Sequence, residues 1–315
     1  MTMNTISSNR KHKEKLKSRL WNARYLYLLI LPAIIFYLIF NYFPMYGIKI
    51  AFQDFFPKLG IAKSPWIGLA NFKIVFADPL FWRAFRNTIL ISFSKIATGT
   101  FFAISTAVLL NELRMRKFKK FAQIVLTFPH FLSWVIIAGL VNNLFTNTGV
   151  INTLIASLGG DKIDFLSDSK FFFSLLITSD IWKEAGWSSI VYLAAISGIN
   201  EDLYESASLD GASRIQMIKH ITLASIRPTI VLMLILSVGG IMDGGFDQIF
   251  NLYNPLVYEI GDTLDTYIFR ITFGTSYAVN PGIGAAIGLF KSVISCLLIL
   301  SVDRIAKLFG ERGII

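Results

Sequence analysis

Glu201-Asp202-Leu203-Tyr204-Glu205-Ser206-Ala207-Ser208-Leu209-Asp210-Gly211-Ala212-Ser213-Arg214 is a compact polar run set between two long apolar stretches, 171–199 and 223–242. Small and acidic residues leading to a glycine describe a short helix, stopped where a missing side chain permits a positive φ and the close approach of a partner. A second helical stretch over 213–222 follows. A solvated interhelical loop is the plain reading of such a run. The sharper reading is a docking element, because a chain that crosses a membrane on either side gains little from this segment unless something outside the bilayer binds it.

Working outward, the 315 residues are 54% hydrophobic and 14% aromatic, with a mean hydropathy of +0.58. Soluble domains hold roughly 45–50% apolar residues, so this is a membrane protein. Six apolar segments, near 25–52, 84–110, 121–145, 171–199, 223–242 and 283–302, each meet the length of about 20 residues that a spanning helix needs. The expected fold is therefore all-α, a polytopic bundle of six transmembrane helices. Pro32 and Pro44 imply local kinks in the first. The chain divides into a basic tail (1–24), a membrane domain (25–302) and a short tail (303–315).

A net charge of +10 raises the question of nucleic acid, but the basic residues form short blocks beside apolar segments rather than one continuous face. These blocks lie at 10–24, 114–120, 214–227 and 304–312, whereas the alternate connections carry only scattered Lys58, Lys63, Lys73, Arg83, Lys162, Lys170 and Arg270. Lysine and arginine near span ends favour the cytoplasmic side. Both termini and the 201–223 loop are thus expected in the cytoplasm, with long outer connections near 51–83, 146–170 and 243–282. The first apolar run exceeds the 7–15 residues of a signal-peptide core and lacks a small-residue cleavage site, so it reads as an anchor. Cys296 is the only cysteine; it falls inside the last span and is expected to be poorly reactive.

Enzyme signatures are missing. No Gly-x4-Gly-Lys-[Ser/Thr] phosphate loop is present, no His-Glu-x-x-His pair exists for zinc, and His12, His130 and His220 are scattered. His130 alone lies near membrane depth, which disfavours an intramembrane serine protease. A secondary transporter working without an ATPase is the main alternative from another class, but it would show a repeated half, and none is visible.

Glu205, Ala207, Asp210, Gly211, Ala212, Ile221 and Leu223 resemble, at matching spacing, the EAA loop of permease subunits in binding-protein-dependent ABC importers. Ser206 replaces an alanine of that pattern, and Ala224 replaces its proline, with Pro228 following a turn later. Trp66-x-Gly68-Leu69-x-Asn71-Phe72, read as a turn and an interfacial helix, is similar to a segment of the carbohydrate importers of maltose type. Trp182-Lys183-x-x-Gly186-Trp187 and the 245–255 segment resemble the subgroup that imports oligosaccharides. The resemblance, over roughly 20–310, implies a type I ABC importer permease fold in a bacterial plasma (inner) membrane. It makes Tyr204, Glu205, Ala207, Asp210, Gly211 and Ala212 the coupling element for two ABC ATPase subunits. Those subunits, not this chain, would hold ATP and Mg, and this chain would bind no cofactor. It further implies a second permease, favouring a heterodimer, and an extracytoplasmic solute-binding protein that delivers the oligosaccharide. No catalytic, metal or nucleic-acid site is expected.

Asp180, Lys183, Glu184, Trp187 and Ser188 fall within the fourth apolar segment. Ionisable groups there cost about 2.5–3.5 kcal/mol each on insertion scales unless they meet partners or water. Asp180, Glu184, Trp187 and Ser188 recur at i, i+4, i+7 and i+8 on one helical face, while Trp182 and Lys183 lie to its sides. An aromatic ring beside carboxylates suits a sugar, its C–H face against the ring and its hydroxyls on the acceptors. Asp243, Asp247, Gln248 and Asn251 are candidates to extend that path outward. The alternative is that Lys183 and Glu184 pair with neighbouring helices and hold the bundle.

Overall fold

The computed structural model describes residues 21–274 and 280–308. The N-terminal basic block before residue 21 and the tail beyond 308 lie outside the described residues. Among those described every regular element is a helix, apart from one isolated antiparallel bridge between Gln53 and Trp66.

Helix α1, Arg24–Phe52, is a 29-residue apolar rod. Pro32 sits inside its α-helical part, a π-turn covers Leu38–Tyr42, and Pro44 opens the 3-10 stretch Phe43–Phe52. No residue between Arg24 and Tyr42 is buried, so the rod leans on the bundle only through its C-terminal end. That end is tied down by the Trp66–Phe72 segment: the Phe52 and Trp66 rings stack at 5.4 Å, and Asn71 donates to the carbonyls of Ala51 and Gln53 at 3.0 Å each. The turn and short helix expected there are present, as Gly68 with φ +62° and α2, Ala70–Ala77.

Helices α3 (Pro79–Glu112) and α7 (Ser169–Ser197) form the main seam. Small residues let their backbones approach, with Ala103 and Ala107 of α3 buried beside Tyr192, Leu193 and Ile196 of α7. Between them in sequence come α4 (Arg116–Thr127), α5 (Trp134–Phe145) and α6 (Val150–Ser157). A single span over 121–145 was expected here, and the structure corrects it. Proline at 129 lacks the N–H that would continue the ladder; the chain turns 3-10 over Phe128–Phe131, extends at Leu132 and restarts at Ser133, whose Oγ caps Ile136. The apolar crossing then lies at Trp134–Ser157.

After α7 come α8 (Glu201–Leu209) and α9 (Arg214–Ser225), then α10 (Arg227–Gly239) after a 57° bend at Ile226. Pro228 stands at the first turn of α10, where a missing N–H is harmless. The end of the bundle away from the 201–214 loop is completed by α11 (Phe246–Leu252) and α12 (Leu264–Phe273), and α13 (Pro281–Leu308) returns through the bundle. Asn87 holds the segment between α11 and α12 to α3 by donating to the carbonyls of Glu259 and Asp262 at 2.9 and 3.1 Å. Arg270 grips Asp262 with two bonds of 2.9 and 2.6 Å. Burial by itself would lower the Arg270 pKa, but the Asp262 carboxylate reverses the sign and holds it above the ordinary arginine value.

By length and composition, four helical stretches among the described residues qualify as spans, or five when the bent α9–α10 pair is one. Helix α7 has 29 residues, about 43 Å at 1.5 Å each, which is ample for a sixth. Asp180, Lys183 and Glu184 in its middle keep it from qualifying as apolar.

Candidate functional site

Two features outlast the packing: an exposed polar loop at one end of the bundle and a belt of charged groups through its middle.

In the loop, α8 is capped at both ends. The Asn200 side chain accepts from the Asp202 amide at 3.1 Å, leaving Glu201 and Asp202 in the first turn, where carboxylates complement the helix dipole. At the other end Gly211 takes φ +78°. The Ala212 amide returns to the Ala207 carbonyl at 2.9 Å and that of Gly211 to Ser208 at 3.1 Å, a Schellman closure. Ser213 and Gln216 then form a reciprocal capping box that starts α9. Local bonds close the corner from both sides, so it is a shaped element rather than a tether. Tyr204 Oη meets Thr222 Oγ1 at 2.9 Å and Arg214 lies 3.6 Å from Glu112, anchoring the corner to α9 and to α3. Outside it lies a concavity of about 600 Å³ lined by Glu112, Tyr204, Glu205, Ser208 and Arg214. Leu209 and Ile215 stand 90% and 78% exposed beside it.

The belt draws on α3, α7, the Phe128–Phe131 turn, the Ile241–Asp243 turn, α11 and α13. On α7, Asp180 lies 3.5 Å from the Lys95 ammonium of α3, with the two side chains 19% and 11% exposed. One turn on, Glu184 Oε2 is 2.7 Å from His130 Nδ1, and the His130 ring lies flat on Trp187 at 4.4 Å with 2° between planes. Glu184 and Trp187 keep open faces, and Ser188 is half-buried beside them. Lys183 lies 3.7 Å from Glu184 Oε1 but gives its bonds to the backbone: its ammonium donates to the carbonyls of His130 and Leu132 at 2.6 and 2.8 Å, satisfying the chain break before α5. Gln248 is fully buried and donates to Leu176 O and Ser179 Oγ at 2.7 and 2.9 Å. Asn251 bonds back to Asp247 O at 2.7 Å, and Asp247 is exposed. Asp243 joins Lys291 of α13 at 2.8 Å.

The structure thus brings Asp180, Glu184, Trp187 and Ser188 together on one face and uses Lys183 and Gln248 internally. Lys95 and His130 are partners that the motif reading missed. Lys95 was visible to the same argument, being a lone lysine inside an apolar segment; His130 stood out in the sequence only as the one histidine near membrane depth. Cys296 lies within the last helix as expected, on an exposed flank of α13.

A helical bundle that carries buried ion pairs at membrane depth and displays a rigid polar corner at one end is a polytopic transport-type membrane protein. Residues 96–312 match the family described as binding-protein-dependent transport system inner membrane component, and the chain belongs to this family. It is 41% identical over 313 residues to the polygalacturonan/rhamnogalacturonan transport system permease protein YteP of Bacillus subtilis (strain 168), covering 99% of this chain and 97% of the relative. It is 41% identical over 294 residues to Protein LplB of the same organism, covering 92% and 91%. A solved bacterial alginate ABC transporter, in complex with an alginate pentasaccharide-bound periplasmic protein, contains a chain similar to this one at a TM-score of 0.86 and 37% identity, covering 95% of this chain and 100% of that one. The resemblance read from the 201–223 loop is therefore borne out at the level of family.

Proposed function

We propose that this chain is a membrane-spanning permease subunit of an ATP-driven importer of acidic oligosaccharides. The observation that carries the reading is the capped corner at Gly211 with its adjoining concavity, a rigid exposed shape able to transmit force from a partner's closure. Tyr204, Glu205, Ala207, Asp210, Gly211 and Ala212 seat it on ATPase subunits, which hold ATP and Mg. The acidic class is supported by the names of YteP, for polygalacturonan and rhamnogalacturonan, and of the alginate transporter. A second permease chain, a different one by preference, encloses the path, and an extracytoplasmic solute-binding protein delivers the sugar. Both termini and the 201–223 loop face the cytoplasm, where the basic blocks lie.

Asp180, Glu184, Trp187 and Ser188 form the sugar-facing wall, while Lys183 and Gln248 hold that wall in place. Asp243, Asp247 and Asn251 extend it outward. Purification in mild detergent tests the reading: ATPase chains are expected to co-elute, with ATP hydrolysis stimulated by a binding protein loaded with oligogalacturonate. Recovery of a chain that moves sugar without an ATPase would overturn it in favour of a secondary transporter.

A further inference from the structure

Lys291 lies about 15 Å along α13 from Pro281 at ~1.5 Å per residue, well inside a hydrocarbon layer about 30 Å thick. Its ammonium donates to both oxygens of Asp265, at 2.8 and 2.9 Å, and lies 2.8 Å from Asp243. The Asp243 side chain is nonetheless 72% exposed. A carboxylate at that depth does not face lipid; it faces water or a polar partner. The backbone beside it gives a second, independent sign. Helix α10 ends at Gly239, and Gly244 and Gly245 adopt φ of +59° and +80°. Non-helical chain at membrane depth occurs only where it is enclosed by protein or lines a wet cavity. Lys95, which pairs with Asp180 of the sugar-facing wall, also reaches the Gly244 carbonyl at 3.5 Å, so the two regions form one continuous belt.

Asp243, Asp265 and Lys291 border a cavity of about 640 Å³, with Ser292, Ser295 and Cys296 on its α13 side. That volume lies within the usual range of small-molecule sites, about 300–1,000 Å³. We propose that this cavity is a second sugar subsite of the transport path, which binds the hydroxyl face of a ring rather than a uronate carboxylate. It rests on the importer reading above. One ammonium between two carboxylates leaves the site net negative, which disfavours a carboxylate. The exposed Asp243 oxygens accept hydroxyl protons. Ser292 donates to the Gly288 carbonyl at 2.9 Å and keeps its own lone pairs for a sugar hydroxyl. Ile299 and Leu300 close the apolar side. An extended oligosaccharide then occupies both the Trp187 wall and this cavity.

Cys296, the only cysteine of the chain, supplies the probe. The test uses the assembled complex in nanodiscs, its partner subunits free of cysteine, with a small water-soluble methanethiosulfonate reagent and trigalacturonate as the sugar. Cys296 is expected to be modified in the resting complex. Labelling should slow at least about fivefold when trigalacturonate, binding protein and a non-hydrolysable ATP analogue are present. Ser292→Ala should raise the transport KM about three- to tenfold, the loss of one hydrogen bond. Cys296 that resists the reagent in a complex that still transports would mean that lipid or the second permease covers this face, and would overturn the proposal. So would labelling that ignores trigalacturonate. A complex that labels as expected, with protection by trigalacturonate, but hydrolyses no ATP would count against the importer reading and leave the subsite standing.

Discussion

Lys95 of α3 and Asp180 of α7 face each other at 3.5 Å across the principal helix seam, both largely buried. Removing one partner strands a charge in a low-dielectric interior, which costs about 3–5 kcal/mol, whereas replacing both with apolar residues of similar size is often neutral. Lys95→Met and Asp180→Leu are each expected to lower the melting temperature of the purified complex sharply, and the double variant should recover most of it. If Asp180 also touches sugar, transport stays depressed in the double variant. Equal stability of the two single variants and the native chain would show that the pair does not hold the seam.

The contact between α4 and α7 depends on a hydrogen atom. A Cβ added at Gly186 would lie 2.0 Å from the Leu126 carbonyl oxygen and 2.3 Å from its carbon, backbone atoms that have no easy retreat. Gly186→Ala is therefore expected to abolish the protease-resistant complex. Gly99→Ala, with nothing within 4 Å of its Cβ, is the control; it should match the native chain or gain about 0.5–1 kcal/mol, because alanine is the better helix residue. Normal resistance of Gly186→Ala would mean that α4 and α7 do not meet this closely.

How far the sequence carried differs between these features. The corner at 200–216 was legible because its causes are local: an asparagine cap, a glycine in the left-handed region and a Ser/Gln box all act within a few residues. The apolar stretches were legible because bilayer thickness fixes their length. The break at Pro129 was not, since Leu132 and Ser133 extend only once Lys183, fifty residues away in the chain, can satisfy the freed carbonyls. Periodicity put Asp180, Glu184 and Trp187 on one face, but no periodicity names Lys95 or His130 as what that face meets. Cys296 follows the same rule: apolar surroundings in sequence place it in the last helix but do not say which side of that helix borders a cavity.

His130, Glu184 and Trp187 form a unit in which one edge of the imidazole bonds the carboxylate and its face covers the indole. Glu184→Gln keeps the size and one hydrogen bond while removing the charge; Trp187→Ala removes the platform. Both are expected to assemble with the ATPase subunits, yet raise the KM for oligosaccharide uptake about tenfold or more, on the scale of about 1–3 kcal/mol for a lost charged hydrogen bond. His130→Gln should fall between them and the native chain. Normal uptake in both Glu184→Gln and Trp187→Ala would leave the unit a purely structural link between the Phe128–Phe131 turn and α7.

Gly211 gives the sharpest test of the loop, because its surroundings separate strain from collision. Its φ is +78°, yet a Cβ there would touch nothing within 4 Å. Gly211→Ala thus adds only backbone strain, about 1–2 kcal/mol for an L-residue in the left-handed region. The bonds from the amides of Ala212 and Gly211 to the carbonyls of Ala207 and Ser208 should survive that strain most of the time, so coupling should weaken without vanishing. Gly211→Asn should do better, since asparagine tolerates this region. Gly211→Leu combines the strain with a bulky side chain on the exposed surface, and is expected to leave the protein in the membrane while abolishing sugar-stimulated ATP hydrolysis. Glu205→Arg reverses the charge at the mouth of the same concavity and should uncouple without strain, so the two variants approach the interface by different routes. The measurement is ATP hydrolysis with and without sugar-loaded binding protein, alongside uptake, in proteoliposomes. Stimulated hydrolysis and uptake at native levels in both Gly211→Leu and Glu205→Arg would remove the corner from the coupling path.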